Sequence, residues 1–187
     1  VLPETTVTAP FPATPMSNDN VLSASRTPIT QKQNGSSVTV ITRDDIERRG
    51  ARNLDEILRI VPGVTVAQRG GLGQQSSLFI RGANSEQTKV ILDGIPINDP
   101  ASPNGAFNPA HFLLDNVERI EILRGPQSTL YGSDAIGGVI NITTRRGSGP
   151  AQIRLSAYGG SFGTYNQTAG ISGGDEKYWY ALSGAWI

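Results

Sequence analysis

Residues 116–146 read NVERIEILRGPQSTLYGSDAIGGVINITTRR, and the punctuation of that stretch decides the fold. Arg119 to Arg124 alternates charged and apolar residues, the period of a half-buried strand. Arg124-Gly125-Pro126 closes it, because proline has no N–H to extend a ladder. A small Tyr131-Gly132 turn follows. Gly137-Gly138 then allows close backbone packing, or a bend, before a second strand over 138–144. Nothing in this pattern resembles an enzyme pocket.

Upstream, Val38-Thr39-Val40-Ile41 is a short strand. Thr42 with Asp45 three residues on predicts a helix start, and Gly50 a stop. Asn53 with Glu56 predicts a second capping pair. Leu54, Ile57, Leu58 and Val61 follow at helical spacing until Pro62-Gly63, which makes a short helix with one buried face. Val64-Thr65-Val66 resumes extended structure, and residues 69–75 form a glycine-rich loop. Ser77 to Arg81 and Lys89 to Asp93 read as two further strands, separated by a Gly-Ala-Asn-Ser turn. The loop from Asn98 to His111 is long and polar, with three prolines; loops of that kind are commonly functional.

Downstream of residues 147–150 the grammar changes. Ile153, Leu155 and Ala157 alternate with Gln152, Arg154, Ser156 and Tyr158. Tyr165, Ala169 and Ile171 alternate with Asn166, Thr168 and Ser172, with Gln167 the one polar residue on the apolar side. A third run opens at Tyr178-Trp179-Tyr180. Such dyad alternation suits a membrane β-barrel wall, and equally a soluble antiparallel sheet. Three strands with open edges are a poor stopping point, so the chain is expected to be truncated.

Composition narrows the function class. Sixteen basic residues balance sixteen acidic ones, which argues against a nucleic-acid binder. There is no cysteine, hence no disulfide framework or thiolate metal site. No apolar run is long enough for a transmembrane helix, and no signal peptide begins the chain, so a processed protein is expected. Residues 1–37 are rich in Pro, Thr, Ser and Asn and read as a flexible leader. His111 is the lone histidine, and the carboxylates Asp93, Asp99, Asp115, Glu118 and Glu121 show no metal-ligand spacing. Gly71-x-Gly73-x-x-Ser76 lacks the third glycine of a dinucleotide loop, and no Gly-x-Ser-x-Gly elbow occurs. Catalytic residues, a metal and a cofactor are therefore not expected.

Residues 38–46, 54–64, 79–82, 90–94, 117–126 and 130–141, in that order, resemble the plug domain of TonB-dependent outer-membrane receptors. Within that family the likeness is greatest to the vitamin B12 (cobalamin) receptors, carried by GGLGQQSSLFIRG at 70–82 and YGSDAIGGVIN at 131–141. The resemblance implies an α+β plug, a small mixed sheet with short helices, over 38–147. It further implies the first three strands of a transmembrane β-barrel over 151–187, in the bacterial outer membrane with the N-terminus periplasmic. It implies a TonB box at Glu4, Thr5, Thr6, Val7, Thr8 and Ala9, which the TonB protein would engage by strand addition. Gln74, Gln75, Ser77, Asn84, Ser102 and Asn104 would lie on ligand-facing apex loops. Arg81 and Arg124 would lock plug to barrel through wall carboxylates; pairing inside the plug, to Glu118 or Glu121, is the alternative. The cargo would be cobalamin or, alternatively, an iron chelate such as a ferric siderophore. A soluble ligand-binding or signalling module made of the plug alone is the competing class.

Overall fold

A computed structural model of the chain describes residues 20–21, 29–30, 35–71, 74–102, 104–160, 165–175 and 178–186. The segment 4–9, expected to be a TonB box, lies outside the described residues. The first elements are β1 (Asn20–Val21), paired antiparallel with β2 (Ile29–Thr30). β3 (Ser37–Thr42) runs directly into α1 (Arg43–Arg49), and α2 (Leu54–Leu58) follows. β4 (Val64–Gln68) and β5 (Ser76–Ile80) form an antiparallel pair. Next come β6 (Thr88–Leu92), β7 (Ile95–Pro96), β8 (Val117–Arg124), α3 (Ser128–Tyr131) and β9 (Gly138–Thr144).

β3, β8, β9, β6 and β7 form one mixed sheet in that order. Only β6 and β9 run parallel; the other neighbours are antiparallel. The parallel pair needs a long crossover, and residues 97–137 supply it by way of β8.

One face of the sheet packs against the helices and the β4–β5 pair. Ile120 and Ile122 of β8, Ile140 and Ile142 of β9 and Val90 of β6 meet Ile46, Leu54, Ile57, Leu58, Leu78 and Ile80 there, all buried. The opposite face carries Leu123, Val139, Ile91 and Ala135. β8 is therefore buried on both sides, which corrects the half-buried strand expected from its alternation. Its charged residues survive there by pairing with each other. Arg119 Nε donates to Glu121 Oε1 at 2.8 Å, with the residues 6% and 1% exposed.

The caps divide in the same way. Thr42 and Asp45 form the expected box: the Thr42 N–H and hydroxyl donate to Asp45 Oδ2 at 3.1 and 2.8 Å, and Gly50 ends α1 at φ +64°. The second box does not form. The Asn53 side chain makes no cap bond, and Glu56 Oε2 instead accepts from the Arg52 N–H at 2.8 Å. Asn53 bridges to Leu113, and the Leu54 N–H donates to the Phe112 carbonyl, so α2 is capped by a distant loop rather than its own side chains.

α1 also closes the lower end of the sheet. Glu47 accepts from Arg43 Nε at 2.6 Å and faces Arg145 Nη2 at 3.1 Å, while Arg43 Nη1 donates to the Leu114 carbonyl at 2.7 Å. The hydrogen bond from Arg43 holds the Glu47 carboxyl below the usual range, and the bond from the Thr42 hydroxyl does the same for Asp45.

Beyond β9 lies a separate antiparallel sheet of β10 (Gly149–Gly159), β11 (Tyr165–Gly174) and β12 (Trp179–Trp186). Its register sorts the faces. Ile153, Ile171 and Leu182 share one row, Leu155, Ala169 and Gly184 the next, and Ala157, Gln167 and Trp186 a third. Between these rows lie Gln152–Ser172–Ala181, Arg154–Gly170–Ser183 and Ser156–Thr168–Ala185. One face is thus apolar apart from Gln167, and the other is largely polar. Ile153, Leu155 and Leu182 are 72%, 79% and 69% exposed.

Two consequences can be measured. Glu121→Leu takes the carboxylate away from a buried guanidinium and should destabilise the fold by about 3–5 kcal/mol, read by chemical denaturation; a loss well below that range would show that the pair contributes little. Asp45 and Glu47 have folded pKa values below their unfolded ones, so their stabilisation is full above the unfolded carboxylate pKa. It is lost as pH falls through the depressed values. Thermal unfolding followed from neutral to acidic pH should show this loss, and Glu47→Gln should flatten the slope.

Candidate functional site

The sheet positions two loops that carry the polar residues singled out above. At the start of β6, the 85–87 turn presents an exposed Asn84, whose N–H is held by Gln87 Oε1 at 3.0 Å. The chain leaving β7 stays beside β6: the Ile97 N–H donates to the Val90 carbonyl at 3.0 Å. Asn98 then completes that edge with its side chain. Its Oδ1 accepts the Val90 N–H at 2.9 Å, and its Nδ2 donates to the Thr88 and Gly105 carbonyls at 3.0 and 3.3 Å. Gly105 is thereby held to the start of β6, which brings the loop bearing Ser102 and Asn104 to the same end as Asn84.

Ser102 and Asn104 are partly committed to each other. The Ser102 hydroxyl donates to Asn104 Oδ1 at 2.9 Å, which also takes the Ala106 N–H at 3.4 Å. Gln74 and Gln75 are exposed at the mouth of β5, and Ser77 is half-buried opposite Ala67. They do not sit beside Asn84. The link between the groups is Asn108, whose Oδ1 accepts both the Ser76 N–H at 3.1 Å and the Ala110 N–H at 3.2 Å. Sequence reading passed over Asn98 and Asn108. The available signal was an asparagine at each end of one long loop, a residue type that substitutes for backbone groups.

Arg81 lies outside the strand expected to contain it. β5 ends at Ile80, and Arg81 adopts a left-handed φ of +52°, followed by Gly82 at +77°. That turn carries its side chain toward Arg124. A Cβ on Gly63 would lie 3.5 Å from Arg124 Cδ and 3.9 Å from Arg81 Cγ, and one on Gly125 would lie 3.5 Å from Arg81 Nη1. Both arginines therefore border the same two glycines. Arg124 donates to the Pro62 carbonyl and, at 2.8 Å, to Thr39 Oγ1, while its Nε is buried without a partner. Neither arginine meets a carboxylate among the described residues. Glu121 is engaged by Arg119, and Glu118 faces Arg145 at 3.4 Å. No ion pair joins Arg81 or Arg124 to Glu118 or Glu121 among the described residues.

A cleft of 410 Å³ opens at the other end of the sheet, between Arg43, Glu47 and Arg145 and the residues of β10 to β12. It lies away from the expected ligand loops. Among the described residues no group of His, Cys, Asp or Glu could hold a metal ion.

Residues 30–139, more than half of the chain, match the family model of the TonB-dependent receptor plug domain. The chain belongs to that family. Solved structures extend the likeness. The ferripyoverdine receptor of the outer membrane of Pseudomonas aeruginosa superposes with a TM-score of 0.72 at 24% identity, over 82% of this chain and 20% of that one. The ferric yersiniabactin uptake receptor FyuA from Yersinia pestis gives 0.66 at 25% identity, over 87% and 24%. The siderophore receptor PirA from Acinetobacter baumannii gives 0.59 at 30% identity, over 79% and 24%. The chain thus spans only a fifth to a quarter of the length of these receptors. Their names speak of iron chelates and siderophores; the particular likeness to cobalamin receptors finds no support among them.

Within the plug, Gly137 sets how closely the Asn84 turn can approach. Its N–H donates to the Gln87 carbonyl at 2.9 Å, and an added Cβ would lie 2.7 Å from Ala83 Cβ. Gly137→Ala should cost about 1–3 kcal/mol by denaturation and displace the turn, through overpacking rather than any lost bond. Wild-type stability in that variant would show that the turn gives way freely.

Proposed function

We propose that this chain is the plug and first wall strands of an outer-membrane receptor that imports a ferric siderophore with energy delivered by the TonB protein. The observation that carries this reading is the plug family match over residues 30–139. The sheet of β10 to β12 supports it, because an apolar exposed face backed by a polar one is what a wall between lipid and lumen requires. The choice of an iron chelate over cobalamin rests on the named cargoes of the structurally similar receptors. In this reading residues 1–37 are a periplasmic leader, 38–147 the plug and 151–187 the opening of the barrel.

The physical problem is selective passage of a bulky solute through a wide pore. A barrel of about 22 strands leaves a lumen that needs a stopper. The polar loops bearing Gln74, Gln75, Ser77, Asn84, Ser102 and Asn104 would hold the chelate by adaptable hydrogen bonds. Arg81 and Arg124 would meet carboxylates of the wall, since each lacks a carboxylate partner among the described residues and a guanidinium binds a carboxylate through paired donors. A partner strand adding to Glu4–Ala9 would then transmit force to the plug.

The test uses the full-length receptor in cells starved of iron, with radiolabelled ferric siderophores and labelled cobalamin offered in parallel. Uptake of a ferric siderophore is expected. Val7→Pro should abolish uptake and leave surface binding intact, because proline removes a strand donor. Arg81→Ala with Arg124→Ala should weaken retention of the plug. Uptake of cobalamin alone would overturn the substrate, and full uptake by Val7→Pro would overturn the TonB-box assignment.

A further inference from the structure

The loop over 98–108 is long and polar, and it is tied at both ends by side chains rather than by strand pairing. Asn98 spends its whole carboxamide on backbone: one acceptor on the Val90 N–H and its amide nitrogen on the Thr88 and Gly105 carbonyls. Thr88 and Val90 are buried, so the groups it satisfies have no ready substitute in water. Asn108 does the same at the far end, where one oxygen holds the Ser76 N–H and the Ala110 N–H together. Ser76 is itself buried and opens β5 immediately after Gln74 and Gln75. One end of the loop is therefore fixed to the mixed sheet and the other to the β4–β5 pair.

We propose that Asn98 and Asn108 are positioning residues, the two feet of a strut that sets the distance between the Ser102–Asn104 loop and the Gln74–Gln75 loop so that both face one ligand. This rests on the reading of those loops as the ligand site. The strut removes conformational freedom before binding, and pre-organisation of this kind raises affinity without adding a contact. The side-chain chemistry is specific. Aspartate at 98 keeps the size and the acceptor for the Val90 N–H, but sets a second oxygen against the Thr88 and Gly105 carbonyls.

The chain has no cysteine, so Gln75 and Ala101, both exposed, can be replaced by cysteine and spin-labelled in the full-length receptor with any other cysteines removed. The wild-type background should give one narrow distance between the labels without ligand. Asn98→Ala, Asn98→Asp and Asn108→Ala should each broaden that distribution in a receptor that thermal unfolding shows to be still folded, with some loss of stability where Asn98→Ala leaves buried backbone groups unpaired. Binding is measured on the unlabelled receptor with ferripyoverdine and ferric yersiniabactin as probes. For any probe that binds, each variant should weaken affinity about ten-fold, mainly by faster release. Should Asn98→Ala unfold the plug, Asn98→Asp and Asn108→Ala carry the same test. A distance that stays narrow in all folded variants overturns the strut. Failure of every probe to bind the wild type counts against the proposed cargo and leaves the label distances to decide on the strut.

Discussion

Everything in this plug hangs on two strands whose central residues, Arg119–Leu123 and Gly138–Ile142, are buried on both faces. β8 and β9 sit at the centre of the mixed sheet, with the helices and the β4–β5 pair on one side and the second cluster on the other. The start of β9 requires a glycine, because a Cβ on Gly138 would run into the Leu123 carbonyl oxygen of the paired strand and lie 3.1 Å from Ile80 Cδ1 of the covering layer. Double burial explains why Arg119 and Glu121 are two residues apart: side chains at i and i+2 share a face of a strand and can reach one another. A buried ion pair is weak evidence of stability, because desolvation offsets much of its attraction. Its effect is on specificity, since a one-residue slip of β8 would drive both charges among Ile46, Ile57 and Leu58.

Much of this was legible from residues alone, where local chemistry and tertiary demand agree. Thr42, Asp45 and Gly50 announce α1 because every partner in the cap lies within one turn of chain. The rows of β10 to β12 were legible because period-two alternation survives whether or not neighbours are known. The failures have one cause, a partner far away in sequence. Asn53 and Glu56 carry the right spacing for a box, but the Leu54 N–H is taken by Phe112, 58 positions along the chain. Arg119 and Glu121 look like a solvated face until the second layer is known. Arg81 reads as the end of a strand until Gly63 and Gly125 are seen to leave room for it to turn toward Arg124. The candidate ligand residues were found as residue types; what holds their loops in place, Asn98 and Asn108, is a tertiary fact.

The two arginines illustrate how a plug can be stable and still be incomplete. Both arginines border the same two glycines, and neither meets a carboxylate among the described residues. Arg124 is held by the Pro62 carbonyl and the Thr39 hydroxyl, both neutral acceptors, and its Nε is left unpaired. Neutral acceptors hold a cation less firmly than a carboxylate does. Under the proposed function, both guanidinium groups would remain available to carboxylates of the wall.

Within the mixed sheet, Arg124 lies where tension along the leader would arrive first. β3 is the edge strand nearest the leader in the chain, and its first residue, Ser37, pairs with Arg124. β3 and β8 are antiparallel, so a pull on Ser37 away from the sheet would load the pairs one after another from that end rather than all at once. The second contact of Arg124, from Nη2 to Thr39, lies two residues further along β3. A force drawn through the leader would therefore strain the hold on Arg124 before it reaches Ile41, where β3 enters the main core. Under the proposed function, the order of events follows from register alone: the contact between arginine and edge strand yields first, and the doubly buried strands yield last.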